Sequence, residues 1–231
     1  QEGKFEEAEA YYKNVIKLKP DYAEAHNNLA VLLYSLGRLI ESETCCKQAI
    51  KYMPGYEDAY YNLGNVYQKF TKFSEAEESY KKAIELRPDY AEAHNNLGAA
   101  LQNLERFDEA EVSFKKAIES KPYFAEAHCN LGALMLLLGK LEEAQISYKK
   151  AIEYKPGFIE ADKNLTVIFT YNQLLSKILK KKNSNNSVKR SFIKKLYIKL
   201  FDSDQRLDSY PFFTHRKVEA DLIPYIYKIN T

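Results

Sequence analysis

Cysteine is scarce in this 231-residue sequence: Cys45, Cys46 and Cys129, odd in number and without a CxxC spacing. That pattern excludes a disulfide framework or a zinc knuckle, and it fits reduced packing residues in a cytoplasmic protein. Long apolar runs are missing too, since no stretch approaches the ~20 residues of a membrane span. No basic-then-apolar leader opens the chain, so secretion is not indicated; the chain begins at Gln1 rather than Met, which leaves room for an upstream signal. Histidine is limited to four residues, and no nucleophile–base pair, phosphate-binding loop or metal cluster can be assembled from the motifs present. No catalytic residue, metal or cofactor is therefore expected.

Charge of one sign is not in excess overall, with a net +2, but the halves differ. Residues 1–160 carry 20 Lys and Arg against 26 Asp and Glu, whereas 161–231 carry 14 against 6. The first part is mildly acidic and the tail is basic. An acidic first part argues against a nucleic-acid stripe, which needs a net positive face with interleaved aromatics.

What is present is repetition. Pro20, Pro54, Pro88, Pro122 and Pro156 are each 34 residues apart. In step with them run "AEAHNNLA" from Ala23, "EDAYYNLG" from Glu57, "AEAHNNLG" from Ala91, "AEAHCNLG" from Ala125 and "IEADKNLT" from Ile159. A second line, "FSEAEESYKKAIELRP" and its relatives, recurs with the same period. Tyr60, Leu63, Gly64 and Tyr67 fall at i, i+3, i+4 and i+7, the stripe of an amphipathic helix. Phe73, Ala76, Tyr80, Ala83 and Ile84 make a second stripe, which Pro88 stops by lacking an N–H and restricting the residue before it. Neither helix can bury its stripe alone, so stacked neighbours must supply the core.

This order of large-Leu-Gly-large, then Ala, aromatic, Ala and Pro, resembles the tetratricopeptide repeat. In the third unit the matching residues are His94, Leu97, Gly98, Leu101, Ala110, Phe114, Ala117 and Pro122; in the fourth they are His128, Leu131, Gly132, Met135, Ala144, Tyr148, Ala151 and Pro156. The resemblance implies an all-α, right-handed solenoid of stacked antiparallel helix pairs over residues 1–182. It divides into a partial repeat at 1–22, repeats at 23–56, 57–90, 91–124 and 125–158, and a capping helix at 159–182. A polar linker at 183–187 and a basic helical tail at 188–231 should follow, the tail opening a further region. A further repeat is expected upstream of Gln1. The first full unit departs from the pattern at Ala30, Ser42 and Cys46, and is expected to pack less tightly. His26, His94 and His128 share one repeat position, about a helix-pair spacing of ~10 Å apart, so they are read as packing residues rather than metal ligands.

The residue before each repeat's Leu is Asn28, Asn62, Asn96, Asn130 and Asn164. Asn is a mediocre helix former, yet it recurs on the flank of the buried stripe. A superhelix lines its concave side with the first helices, so these amides should form a ladder there. An amide offers donor and acceptor together and can pair with a peptide backbone without reading side chains. In this the array is similar to the repeat region of O-linked N-acetylglucosamine transferase, where an asparagine ladder holds extended peptide; bonding only within the array is the alternative reading. Asn27, Tyr61, Asn65, Asn95, Gln68 and Gln102 should line the same groove. On the first reading, replacing Asn62 and Asn96 by Ala should leave thermal stability nearly unchanged. The basic cluster of carboxylate-clamping repeats is absent.

The expected partner is accordingly a protein or extended peptide, with no nucleic acid and no membrane span; nothing sets an oligomeric state. The stretch Tyr210–Ile229 is similar to the segment following the repeats in some marine-bacterial proteins, ahead of a 2-oxoglutarate/iron oxygenase-like domain. A second function therefore stands beside the scaffold: the recognition arm of a larger oxygenase or glycosyltransferase with its catalytic domain beyond Thr231. The tail's own His215 does not begin the His-x-Asp/Glu pair that iron would need.

Overall fold

The computed structural model describes residues 2–180, and the chain divides into two units, Gln1–Leu134 and Met135–Thr231. The first holds α1 (Glu2–Leu18), α2 (Ala23–Ser35), α3 (Leu39–Tyr52), α4 (Glu57–Lys69), α5 (Phe73–Leu86), α6 (Ala91–Asn103) and α7 (Phe107–Ser120). Helix α8 (Ala125–Leu137) runs across the division, and the second unit continues with α9 (Leu141–Tyr154) and α10 (Ile159–Lys180). Among the described residues there is no strand. The expected linker at 183–187 and tail at 188–231 lie outside the described residues, as do the last two residues expected in the capping helix. No described helix is long and apolar enough to cross a membrane.

The prolines end the second helices in the manner their chemistry requires. Met53, Arg87 and Lys121 each donate a last N–H four residues back, to Ala49, Ala83 and Ala117 at 2.8–3.0 Å. Each then turns extended, with ψ of 86–91°, because the following proline ring crowds the α conformation. Tyr22, Tyr56 and Tyr90 precede α2, α4 and α6 without any side-chain cap. These helix starts lean on acids of the first turn, Glu24, Asp58 and Glu92, which complement the helix dipole.

The loops that enter three of the first helices are closed by histidine. His26, His94 and His128 are buried, and their Nε2 atoms lie 2.9, 2.9 and 3.0 Å from the carbonyl oxygens of Pro20, Pro88 and Pro122. A carbonyl can only accept, so each ring carries its proton on Nε2. Each histidine thus ties the loop entering its own helix to that helix, six residues on.

The core of each pair is an aromatic ring on the second helix laid over a small residue on the first. A Cβ at Gly64 would fall 2.5 Å from Tyr80, and one at Gly98 would fall 2.7 Å from Phe114. Both rings are fully buried. Ala30 has the Cβ that these glycines lack, and its second helix offers Cys46 in place of the ring. Ala30, Ser42 and Cys46 are 0%, 1% and 0% exposed, and Ser42 Oγ donates to Ala30 O at 2.7 Å. The expected looser packing of this unit does not show in its burial, because the larger small residue and the smaller large one offset each other. Burial pushes the Cys46 thiol up to about 12, so it is a packing group and not a thiolate. Between pairs, Leu63 of α4 joins the Ala30–Cys46 cluster, and Phe124 packs with Ala91, Ala117 and Ala127. In the second unit α9 and α10 pack together, with Tyr148, Ala151, Ala161 and Ile168 buried.

Helices α2, α4 and α6 end in the same turn. Arg38, Lys72 and Arg106 donate to the carbonyls five residues back, Leu33, Tyr67 and Leu101, at 2.9 Å. This is the Schellman arrangement, which needs a left-handed residue just before the donor. Gly37 fills that place at φ 73° without strain, but Thr71 and Glu105 fill it at φ 57° and 59°.

Two consequences can be measured. Thr71→Gly should raise stability by about 1 kcal/mol, since a β-branched residue in the left-handed region is strained by roughly that much; a lowered melting temperature would show that the Thr71 hydroxyl matters more than its backbone. Gly98→Ala should lower stability by ~1–3 kcal/mol through overpacking, against a helix-propensity gain of only ~1 kcal/mol. In a double-mutant cycle, Phe114→Cys should relieve that clash, reproducing the Ala30–Cys46 pair; additive effects would sink the argument.

Candidate peptide-binding face

Helices α2, α4 and α6 lie side by side, and their residues at alternating four- and three-residue intervals share one face. Tyr61, Asn65 and Gln68 occupy successive turns of α4, as Asn95, Ala99 and Gln102 do on α6. The face is a row of amides and phenols, bonded from repeat to repeat. Asn62 Nδ2 donates to Asn27 Oδ1 at 2.8 Å, and Asn130 Nδ2 donates to Asn95 Oδ1 at 2.9 Å. Asn96 Nδ2 donates to Asn65 Oδ1 at 2.9 Å and to the Tyr61 hydroxyl at 3.3 Å. Asn95 Nδ2 donates in turn to Asn96 Oδ1 at 3.1 Å, and Asn27 Nδ2 to the Tyr56 hydroxyl at 3.3 Å.

Beneath the row lies Tyr80, whose hydroxyl sits 2.7 Å from Gln68 Oε1 and 2.9 Å from Asn65 Oδ1. Its single proton can serve one of them at a time. The Tyr61 ring lies 4.9 Å from Tyr90 and 6.0 Å from Tyr80, centroid to centroid. Burial raises the Tyr61, Tyr80 and Tyr34 phenols above their ordinary range, and Tyr90 is raised by burial and then by its bond to Asp58. These hydroxyls stay neutral, so the middle of the face presents uncharged donors and acceptors.

The ladder expected from the sequence is not uniform. Asn28 is exposed and Asn62, Asn96 and Asn130 are half-buried, while Asn164 is buried on α10 of the second unit. Asn27 and Asn95, expected to line the groove, are instead 5% and 6% exposed and serve as acceptors for the next repeat's amide. Tyr61, Asn65, Gln68 and Gln102 are half-buried. The expectation that Asn62→Ala and Asn96→Ala leave stability untouched is therefore corrected: both amides tie neighbouring repeats together. Asn96 uses both N–H groups and its oxygen, whereas Asn62 uses one N–H.

The sequence reading also missed the rim. Arg87 donates to Asp58 at 2.8 Å and lies 3.4 Å above the Tyr90 ring, and Tyr90 donates to the same Asp58 oxygen at 2.8 Å. Lys121 likewise bonds Glu92 at 2.7 Å and lies 4.7 Å above Phe124. The signal was available as a basic residue three before each aromatic and 29 after each acid. Among the described residues, no three His, Cys, Asp or Glu groups converge as a metal site would require.

Family comparison agrees with this architecture. Tetratricopeptide repeat models match residues 23–56 and 91–124, and 113–146 in a shifted register, while a further TPR repeat model matches 1–37 and 72–105. Together they cover more than half of the sequence. The chain belongs to the tetratricopeptide repeat family. Among solved structures, MamA is 27% identical, with a TM-score of 0.61 over 67% of this chain and 90% of its own. A thermophilic TPR protein of Thermus thermophilus is 24% identical, with a TM-score of 0.62 over 73% and 92%. YrrB, described as a TPR protein with an unusual peptide-binding site, is 23% identical, with a TM-score of 0.59 over 86% and 96%. No curated protein matches the sequence.

Asn96→Ala should cost about 1–2 kcal/mol, several net hydrogen bonds less the better helix propensity of Ala, and Asn62→Ala clearly less. Equal melting temperatures for the two variants would show that the inter-repeat amide bonds add nothing.

Proposed function

We propose that the chain is a scaffold that binds an extended peptide, or an extended segment of a protein, along the face of α2, α4 and α6. The observation that carries this reading is the continuous row of neutral amides and phenols from Asn27 to Asn130. Bonding between repeats holds the row in place before any ligand arrives, so less ordering is needed on binding. Capacity remains on it: Asn62 keeps its oxygen and one N–H, and the amides of Asn28 and Gln102 make no bond within the described residues. Such groups suit a peptide backbone, which offers an N–H and a C=O at every residue. Nucleic acid fits poorly, because the first-turn acids Glu24, Asp58 and Glu92 edge this face.

Photo-crosslinking tests the reading directly. A photoreactive residue placed at Asn28 or Gln102 should capture the cellular partner, while one at the exposed Glu78 or Val112 of the second helices should not. Asn28→Ala with Gln102→Ala should weaken binding of that partner by ~1–3 kcal/mol, the range for two net hydrogen bonds. The melting temperature should hardly move. Capture only through Glu78 and Val112 would transfer the binding surface to the second helices.

A further inference from the structure

The rim of the α2–α4–α6 face repeats one device: a first-turn acid, an aromatic ring ahead of the next first helix, and a basic side chain closing both. Asp58 and Tyr90 hold Arg87, with the guanidinium 3.4 Å above the ring and 2.8 Å from the carboxylate. Glu92 and Phe124 hold Lys121, at 4.7 Å from the ring and 2.7 Å from the carboxylate. Lys19 over Tyr22 and Lys155 over Phe158, at 4.8 and 4.6 Å, place a cation on the equivalent ring. Glu24 and Tyr56 stand at the same two positions of the first full repeat. The residue three before Tyr56 and 29 after Glu24 is Met53.

Met53 has no charge to offer, so this cradle is the one in the first unit with both anion and ring but without its own cation. Among the described residues Glu24 has no cation within ion-pair distance, and no basic group lies over the Tyr56 ring. Tyr56 accepts from Asn27 at 3.3 Å rather than bonding the acid as Tyr90 does. Asn27, whose amide bonds that hydroxyl, stands one helical turn after Glu24 on α2, and burial first, then the charges of Asp58 and Glu24, push the Tyr56 phenol up. Glu24 and Tyr56 are both half-buried, open enough to be reached and sheltered enough for a charge pair to count. Met53 is also half-buried, and its uncharged, flexible side chain can move aside for an incoming cation.

We infer that Glu24 and Tyr56 form a recognition site for one lysine or arginine side chain of the bound peptide, which takes the place that Arg87 and Lys121 take in the other repeats. The inference rests on the proposed function and adds a side-chain preference to it. Glu24 stands one helical turn before Asn27 and Asn28 on α2, so the cradle opens at the end of the amide row. A peptide lying on the amides by its backbone would present one side chain there. The other two cradles are filled from within, so a single basic residue is selected rather than a basic run. Glu24 also complements the dipole of α2, as Asp58 and Glu92 do for their helices, but that role leaves the ring and the missing cation without a purpose.

The test is selection of the full chain against a random decapeptide library with blocked ends. Wild-type protein should retain peptides with Lys or Arg enriched at one position. Glu24→Gln should abolish that enrichment and weaken the best selected arginine peptide roughly tenfold, the worth of one charge-assisted hydrogen bond at a sheltered carboxylate. Met53→Arg should do the same by filling the cradle internally, while Met53→Leu and the remote Asp108→Asn leave it intact. Retained peptides without a basic preference, still weakened by Asn28→Ala with Gln102→Ala, would overturn the cation site and leave the peptide-binding face standing. A Met53→Arg variant that keeps the basic preference would also overturn the site. Retention of no peptide at all would remove both readings.

Discussion

Everything in the described fold depends on how closely two antiparallel helices approach within a pair. That distance is set where a buried ring, Tyr80 or Phe114, lies on a backbone without a side chain at Gly64 or Gly98. The contact removes a large apolar surface from water, and it leaves no room for a methyl group. The Ala30–Cys46 pair meets the same constraint with the volumes exchanged. Because each pair presents the same outline to its neighbours, successive first helices come side by side in register.

That register makes the polar face possible. Asn62 meets Asn27, and Asn130 meets Asn95, across 35 residues of sequence in each case. Half-buried amides would be costly if unpaired, so their bonds to neighbouring repeats both satisfy them and align the repeats. The same bonds make the face a rigid platform with leftover donors and acceptors. Stability and recognition therefore draw on one set of side chains here, and a given amide contributes more to one or the other according to how many of its groups are already paired. Asn96 belongs to the structural end of that range and Asn28 to the open end.

The rim shows how a repeat acquires individuality. Acid, ring and cation recur because three helices of neighbouring repeats bring them together, and the ion pair is held by a cation–π contact as well as by charge. A single departure, Met53, changes the electrostatics of one cradle without altering the backbone around it. Identical scaffolding with one substituted position is how a repeat array can read a side chain at a chosen point along a ligand.

The linear order of residues was enough to specify the period, the two helices per period and their ends. The physical reasons are local: the spacing of Leu63, Gly64 and Tyr67 marks a helical stripe, and Pro54, Pro88 and Pro122 cannot continue a helix. It also marked His26, His94 and His128 as interior, though not as clamps on proline carbonyls, which depends on backbone oxygens left free by the turn. The asparagine row was visible as a column of letters, but its division of labour was not. Whether an amide is buried, half-buried or open depends on what the next repeat places against it, and Asn27 and Asn28, adjacent in sequence, meet opposite fates one residue apart on a helix. Likewise Glu24, Met53 and Tyr56 are unrelated in one dimension. Only packing of α2 and α3 against α4 brings them to one place, where the absence of a cation acquires a meaning.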